Sequence, residues 1–138
     1  MKHTLKNNFY FLLLISLTWV GEAFGQIAKI EPPQPKWGST LTVTYNPKAF
    51  GAKFSSSHDV YIQARLAFPD HDQTSITKMS KEREMFTAEF GIHQPLSHAT
   101  FYFITLDDWG KQATVSTMIF RPDGIPVKGA YQKILSPF

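Results

Sequence analysis

In segment after segment of this chain apolar and polar side chains alternate with a period of two, a pattern that fits half-buried β-strands and little else. The cleanest case is Thr40-Leu41-Thr42-Val43-Thr44-Tyr45, with Leu41, Val43 and Tyr45 on one face and three threonines on the other. Residues 59–68 extend the pattern, setting Val60, Ile62, Ala64, Leu66 and Phe68 against Tyr61, Gln63 and Arg65. Residues 85–92 turn Phe86, Ala88 and Phe90 inward and Thr87 and Glu89 outward, and Gly91 marks a bulge near the end. Residues 100–106 run almost without a polar break through Phe101, Tyr102, Phe103 and Ile104, as a central strand covered on both faces would. Shorter strands at 27–31, 75–79 and 114–120 bring the expected number to seven.

Turn chemistry separates these strands. Pro32-Pro33-Gln34-Pro35 stops ladder pairing after an edge strand, Lys36-Trp37-Gly38-Ser39 reads as a turn, and Asn46-Pro47 leads into a small-residue loop at 49–57. Pro69-Asp70-His71-Asp72-Gln73 reads as a polar turn, the charged stretch 80–84 as an exposed connection, and Asp107-Asp108-Trp109-Gly110-Lys111 as hairpin chemistry. Two packed antiparallel sheets bury so many half-apolar strands most economically. The expected fold is therefore all-β, an immunoglobulin-like β-sandwich of about seven strands, with a jelly roll or small barrel as the alternative.

Cysteine is absent, so this core must hold without disulfides, and thiol redox exchange, cysteine nucleophiles and thiolate metal sites are excluded. Twelve phenylalanines and 14% aromatic residues argue for a packed core rather than disorder. The N-terminus carries a separate signal. Lys2, His3 and Lys6 precede an apolar run at 9–20, and Ala23-Phe24-Gly25 presents small residues where a signal peptidase reads. The run falls short of the roughly 20 residues a spanning helix needs, so residues 1–25 read as a removable signal peptide, with a retained anchor as the alternative. Export to the periplasm or the extracellular space is expected, with a β-sandwich domain at 26–122 and a linker or flexible tail at 123–138.

Without Lys2, Lys6 and Glu22, the chain's 14 basic and 11 acidic residues become 12 and 10. That near balance, with no basic cluster, excludes nucleic acid as an expected partner. Searches for chemistry return isolated pieces. Asp70-His71-Asp72 reads as a solvated turn, and Asp107-Asp108 offers too few oxygens for calcium. His58-Asp59, the pair His93 and His98, and Ser55-Ser56-Ser57 beside His58 lack the further groups that catalysis or metal binding needs. No catalytic residue, metal or cofactor is therefore expected. The aromatic residues suggest binding instead, because a ring can stack on the apolar face of a sugar while polar neighbours reach its hydroxyls. The candidate ligand-binding residues are Trp37, Tyr61, Tyr102, Asp108 and Trp109; packing of the turn tryptophans as lids over the sandwich ends is the competing reading.

Several short motifs carry a resemblance. Pro35-Lys36-Trp37-Gly38, then Leu41-Thr42-Val43-Thr44-Tyr45-Asn46-Pro47, Phe101-Tyr102-Phe103, Asp107-Asp108 and Pro122-Asp123-Gly124-Ile125-Pro126-Val127-Lys128-Gly129-Ala130 occur in that order. The series resembles the N-terminal immunoglobulin-like β-sandwich modules that precede thioredoxin-like (TlpA-like) domains in exported bacterial proteins. The resemblance implies a sandwich fold, an exported setting and a copy of the module without its thioredoxin domain. Oxidoreductase activity does not carry over, since no Cys-x-x-C centre can exist here. The function expected is that of a non-catalytic accessory module associating with a protein or cell-surface component, with a carbohydrate-binding module of the same fold as the alternative.

Overall fold

The computed structural model describes residues 26–107 and 114–130. The signal-peptide reading, Asp108 and Trp109 lie outside the described residues. Eight strands form in the order β1 (Ala28–Glu31), β2 (Thr40–Tyr45), β3 (Tyr61–Ala67), β4 (Asp72–Lys78), β5 (Ser80–Glu82), β6 (Met85–Gly91), β7 (His98–Ile104) and β8 (Thr114–Met118). They assemble into two four-stranded antiparallel sheets, β1-β2-β6-β5 and β4-β3-β7-β8. In immunoglobulin lettering the first sheet reads A-B-E-D and the second C′-C-F-G, so the fold is the expected all-β sandwich with one strand more than the alternation signalled.

The extra strand is β5, in the segment read from its charges as an exposed connection. All three of its residues are exposed, and it pairs with β6 through Ser80↔Thr87, Lys81↔Phe86 and Glu82↔Met85. The two residues joining β5 to β6, Arg83 (φ 49°) and Glu84 (φ 65°), take the left-handed conformation of a tight hairpin turn. Asn-Gly normally announces such a turn, so an Arg-Glu pair hid it. Likewise Asp72 and Gln73, read as turn residues, open β4; the turn itself is confined to Pro69 and Asp70 and is closed by the Phe68 N–H donating to the His71 carbonyl at 2.9 Å.

The core lies between the sheets. Leu41, Val43 and Tyr45 from β2 face Ile62, Ala64, Phe101 and Phe103 from β3 and β7, all fully buried. Tyr45 is the hub, its ring centroid 5.0 Å from that of Phe103, 5.8 Å from Phe54 and 6.4 Å from Phe86. The Tyr45–Phe103 contact joins the two strands that antibody domains link by a disulfide, so ring packing performs the cross-sheet role that a cysteine-free chain cannot give to a covalent bond. The phenolic oxygen accepts a hydrogen bond from the Phe54 N–H at 3.2 Å, which pins the 49–57 loop over the end of the core. No helix among the described residues is long and apolar enough to cross a membrane.

Candidate functional site

A cleft of about 640 Å³ opens at the end of the sandwich where β3 runs into β4, lined by Trp37, Pro69, Pro95, Ile125, Pro126 and the segment around Lys128. Each wall is positioned by a local turn. Lys36-Trp37-Gly38-Ser39 closes through the Ser39 N–H to the Lys36 carbonyl at 3.1 Å, with Gly38 at φ 86°, a conformation glycine adopts without steric cost. The Trp37 indole then donates from Nε1 to the Leu96 carbonyl at 2.9 Å and packs its ring against the core. Opposite, Arg121-Pro122-Asp123-Gly124 forms a second turn, closed by the Gly124 N–H to the Arg121 carbonyl at 2.9 Å and the Arg121–Asp123 ion pair at 2.9 Å.

That second turn folds the chain back on itself. The Arg121 N–H donates to the Ile125 carbonyl and the Val127 N–H to the Ile119 carbonyl, both at 2.8 Å, and Val127 and Ala130 are buried. Residues 123–130, expected as the start of a linker, thus form a wall of the cleft. The Pro-Asp-Gly sequence announced the turn, but nothing in it indicated that the following residues pack on the sandwich. Ile125 is 54% exposed on this wall, an apolar side chain that the sequence reading did not select.

Tyr61 and Tyr102 stand elsewhere. Tyr61 opposes Ile104, and Tyr102 opposes Gln63, so the two tyrosines are diagonal neighbours on the outer face of the β4-β3-β7-β8 sheet, each half-buried. Six residue steps along β3 lead from Tyr61 to Ala67 and four from Gln63, which puts Tyr61 roughly 20 Å and Tyr102 roughly 13 Å from the cleft end. The fold therefore brings Tyr61 and Tyr102 together and leaves Trp37 apart.

The serine and histidine residues of the 49–57 loop and its exit do meet. The Ser55 N–H donates to His58 Nδ1 at 2.9 Å, Ser55 Oγ lies 3.0 Å from the same nitrogen and 2.7 Å from Ser57 Oγ, and the His58 N–H closes the turn on the Ser55 carbonyl at 3.1 Å. Because the backbone amide donates to it, Nδ1 is an acceptor and the ring proton sits on Nε2. Asp59, the nearest acid in sequence, pairs with Lys78 at 3.5 Å, and Lys81 donates to the Ser56 carbonyl at 2.7 Å. His58, Asp59, Lys78 and Lys81 line an open hollow of about 600 Å³ with Met79 and Phe86. The contacts hold the loop in shape. Asp70 and His71 lie at the other end of β3, where the Asp70 carboxylate bonds His71 Nδ1 at 2.7 Å and is held below the usual carboxylate range by that hydrogen bond. The His71 ring stacks on Phe68 at 4.8 Å. Among the described residues no group of three or more His, Cys, Asp or Glu side chains could hold a metal ion.

No family model matches this chain, and no curated protein does. Among solved structures it is similar to a cycloalternan-degrading enzyme from Trueperella pyogenes, at 19% identity and TM-score 0.45 over 67% of this chain and 12% of that one. It is also similar to the alkylpurine DNA glycosylase AlkC of Pseudomonas fluorescens bound to DNA containing an abasic site analogue, at 9% identity and TM-score 0.37 over 69% of this chain and 31% of that one. In both cases the match spans less than a third of the larger protein.

Proposed function

We propose that this chain is an exported, non-catalytic accessory module that acts by association with a protein or cell-surface component, with the cleft beside Trp37 as its contact surface. The observation that carries the reading is the cleft's construction. Three prolines, a hydrogen-bonded indole and two closed turns hold its walls, so a partner pays little ordering entropy there, and the exposed Ile125 supplies apolar area to cover. Arg121 and Lys128 at the rim favour a partner segment that is apolar with a carboxylate at its edge. The likeness of its motifs to the modules preceding TlpA-like domains and the basic-apolar-small leader support an exported setting.

A photo-crosslinking amino acid at position 125, introduced into cells that make the protein, tests this. One defined adduct is expected, weakened at least tenfold by Lys128→Glu while the urea midpoint stays unchanged. Absence of any adduct above background, or purified protein turning over a substrate in a manner abolished by a pocket substitution, would reject the reading. N-terminal sequencing of the exported product is expected to begin at Gln26.

A carbohydrate-binding reading has its own support in the diagonal Tyr61 and Tyr102 pair with Gln63 alongside, two rings and an amide on one sheet face. A polysaccharide pull-down that survives Tyr61→Ala and Tyr102→Ala together would remove it.

A further inference from the structure

Phe50 is the most exposed large apolar side chain among the described residues, at 94%. The backbone beneath it is firmly held. Ala49-Phe50-Gly51-Ala52 is a turn closed by the Ala52 N–H donating to the Ala49 carbonyl at 3.0 Å, with Gly51 at φ 83° in the third position, as a type II turn requires. Ala49 and Phe54 on either side are buried, and the Ala49 N–H donates to the Asn46 carbonyl at 3.2 Å. Ile27 packs beside the tip: its Cδ1 stands 3.9 Å from the place a Cβ on Gly51 would take, and its carbonyl accepts from the Asn46 N–H at 2.7 Å. A turn of this type favours proline in its second position and has no need of an aromatic ring there. Anchored at both feet, this one nevertheless holds a phenyl ring in water.

Other features gather at the same end of the sandwich. Tyr45 closes β2 and meets Phe103 near the end of β7, so the 49–57 loop and the residues after β7 share that end. Leu106 lies among them, 53% exposed. Ile27 places the N-terminal side of the chain there too. The apolar run at 9–20 ends seven residues before Ile27, and seven residues reach at most about 25 Å. The membrane that this run engages during export therefore lies within that distance of Ile27, beside which the Phe50 turn sits.

We propose that the Phe50 turn is a lipid-surface anchor, its ring inserting at the boundary between headgroups and acyl chains, with Leu106 adding apolar area at the same end. A ring that stands clear on a convex tip matches a bilayer, which closes around a wedge without a preformed pocket. Lys48 and Lys53, two and three residues from Phe50, have stems long enough to keep their heads at phosphate level while the ring sinks. Apolar insertion rather than net charge carries the contact, because Lys48 pairs with Glu84 and Lys78 with Asp59 at this end. The cleft beside Trp37 lies at the opposite end of the sandwich, so anchoring leaves it facing away from the lipid. Which membrane is met rests on the exported reading; insertion of the tip rests on neither that reading nor the cleft.

The absence of cysteine gives a clean test. A polarity-sensitive fluorophore is attached to Phe50→Cys, or to Gln34→Cys as the control from the cleft end, in the processed chain recovered after export. With phosphatidylcholine vesicles, with or without phosphatidylglycerol, the label at 50 is expected to shift to the blue and to be quenched by acyl-brominated lipid, while the label at 34 stays in water. If the leader remains attached, the same labels are read on the full chain, since the fluorophore reports depth at its own position. In vesicle flotation of the unlabelled processed chain, Phe50→Ser is expected to weaken partitioning about tenfold or more, with its urea midpoint unchanged, and Phe50→Trp to retain it. Leu106→Ser is expected to weaken it further, and raising salt from about 0.1 to 1 M to leave it in place. A label at 50 that stays in water on both vesicles, Phe50→Ser partitioning as the parent does, or binding lost in high salt would each overturn the proposal. A label that shifts with envelope protein but not with protein-free vesicles would assign Phe50 to a protein pocket and overturn it equally.

Discussion

Replacing Tyr45 separates the two things that this side chain does. Its ring meets Phe54, Phe86 and Phe103 at the centre of the sandwich, and its oxygen receives backbone amides of Phe54 and Lys53. Tyr45→Phe keeps the ring and strands the Phe54 N–H in a buried site, at a cost of about 1–2 kcal/mol. Tyr45→Ala also empties the hub, and large-to-small aromatic substitutions of this kind cost about 3–5 kcal/mol. Against the net stability of about 5–15 kcal/mol typical of a small domain, the second change removes about a fifth or more. Urea unfolding followed by far-ultraviolet circular dichroism measures both, with the slope of the transition checked for constancy. A Tyr45/Phe103 double-mutant cycle should return a coupling of about 0.5–1.5 kcal/mol for the ring pair. If Tyr45→Ala costs under about 1 kcal/mol, the reasoning that aromatic packing substitutes for a cross-sheet disulfide is refuted.

Burial pushes the Tyr45 phenol above its ordinary value of 10.0, against the opposing pull of the Phe54 and Lys53 amides. The folded state thus holds the proton more tightly than the unfolded chain, so this contribution is complete below pH 10 and fades as pH rises through the folded value. Wild-type stability should fall more steeply than that of Tyr45→Phe in a melting series from pH 9 to 12, and parallel curves would contradict this. Trp37→Phe deletes the indole bond to the Leu96 carbonyl and should cost about 1 kcal/mol in urea; no loss would show that the ring alone sets the cleft wall. Arg83→Asn places a residue tolerant of positive φ in the β5–β6 turn and should stabilise by about 0.5 kcal/mol, whereas Arg83→Val should destabilise by about 1 kcal/mol. Equal midpoints for the two variants would refute the strain argument.

Much of the sandwich was legible because burial on one face of a strand imposes a period of two. Leu41, Val43 and Tyr45, Phe86 and Phe90, and Ile62 and Ala64 all announced their inward faces in this way. β5 was not legible: an edge strand with both faces in water has no apolar alternation, and its turn uses Arg83 and Glu84 where the usual cue is glycine. Tyr61 and Tyr102 were marked as candidates singly, yet their adjacency depends on the β3–β7 register, a relation between segments about 40 residues apart. The cleft was invisible for the same reason, since Trp37, Pro69, Pro95 and Pro126 lie in four segments far apart in the chain.

Local alternation and turn chemistry, set by side-chain direction and backbone sterics within a few residues, determined most of the strands and the two-layer class, and the lack of cysteine excluded thiol chemistry. Tertiary structure alone decided which turns converge and which strands lie beside one another in each sheet. Those properties depend on register between distant strands, and register arises from the simultaneous packing of both sheets rather than from any stretch of chain read by itself.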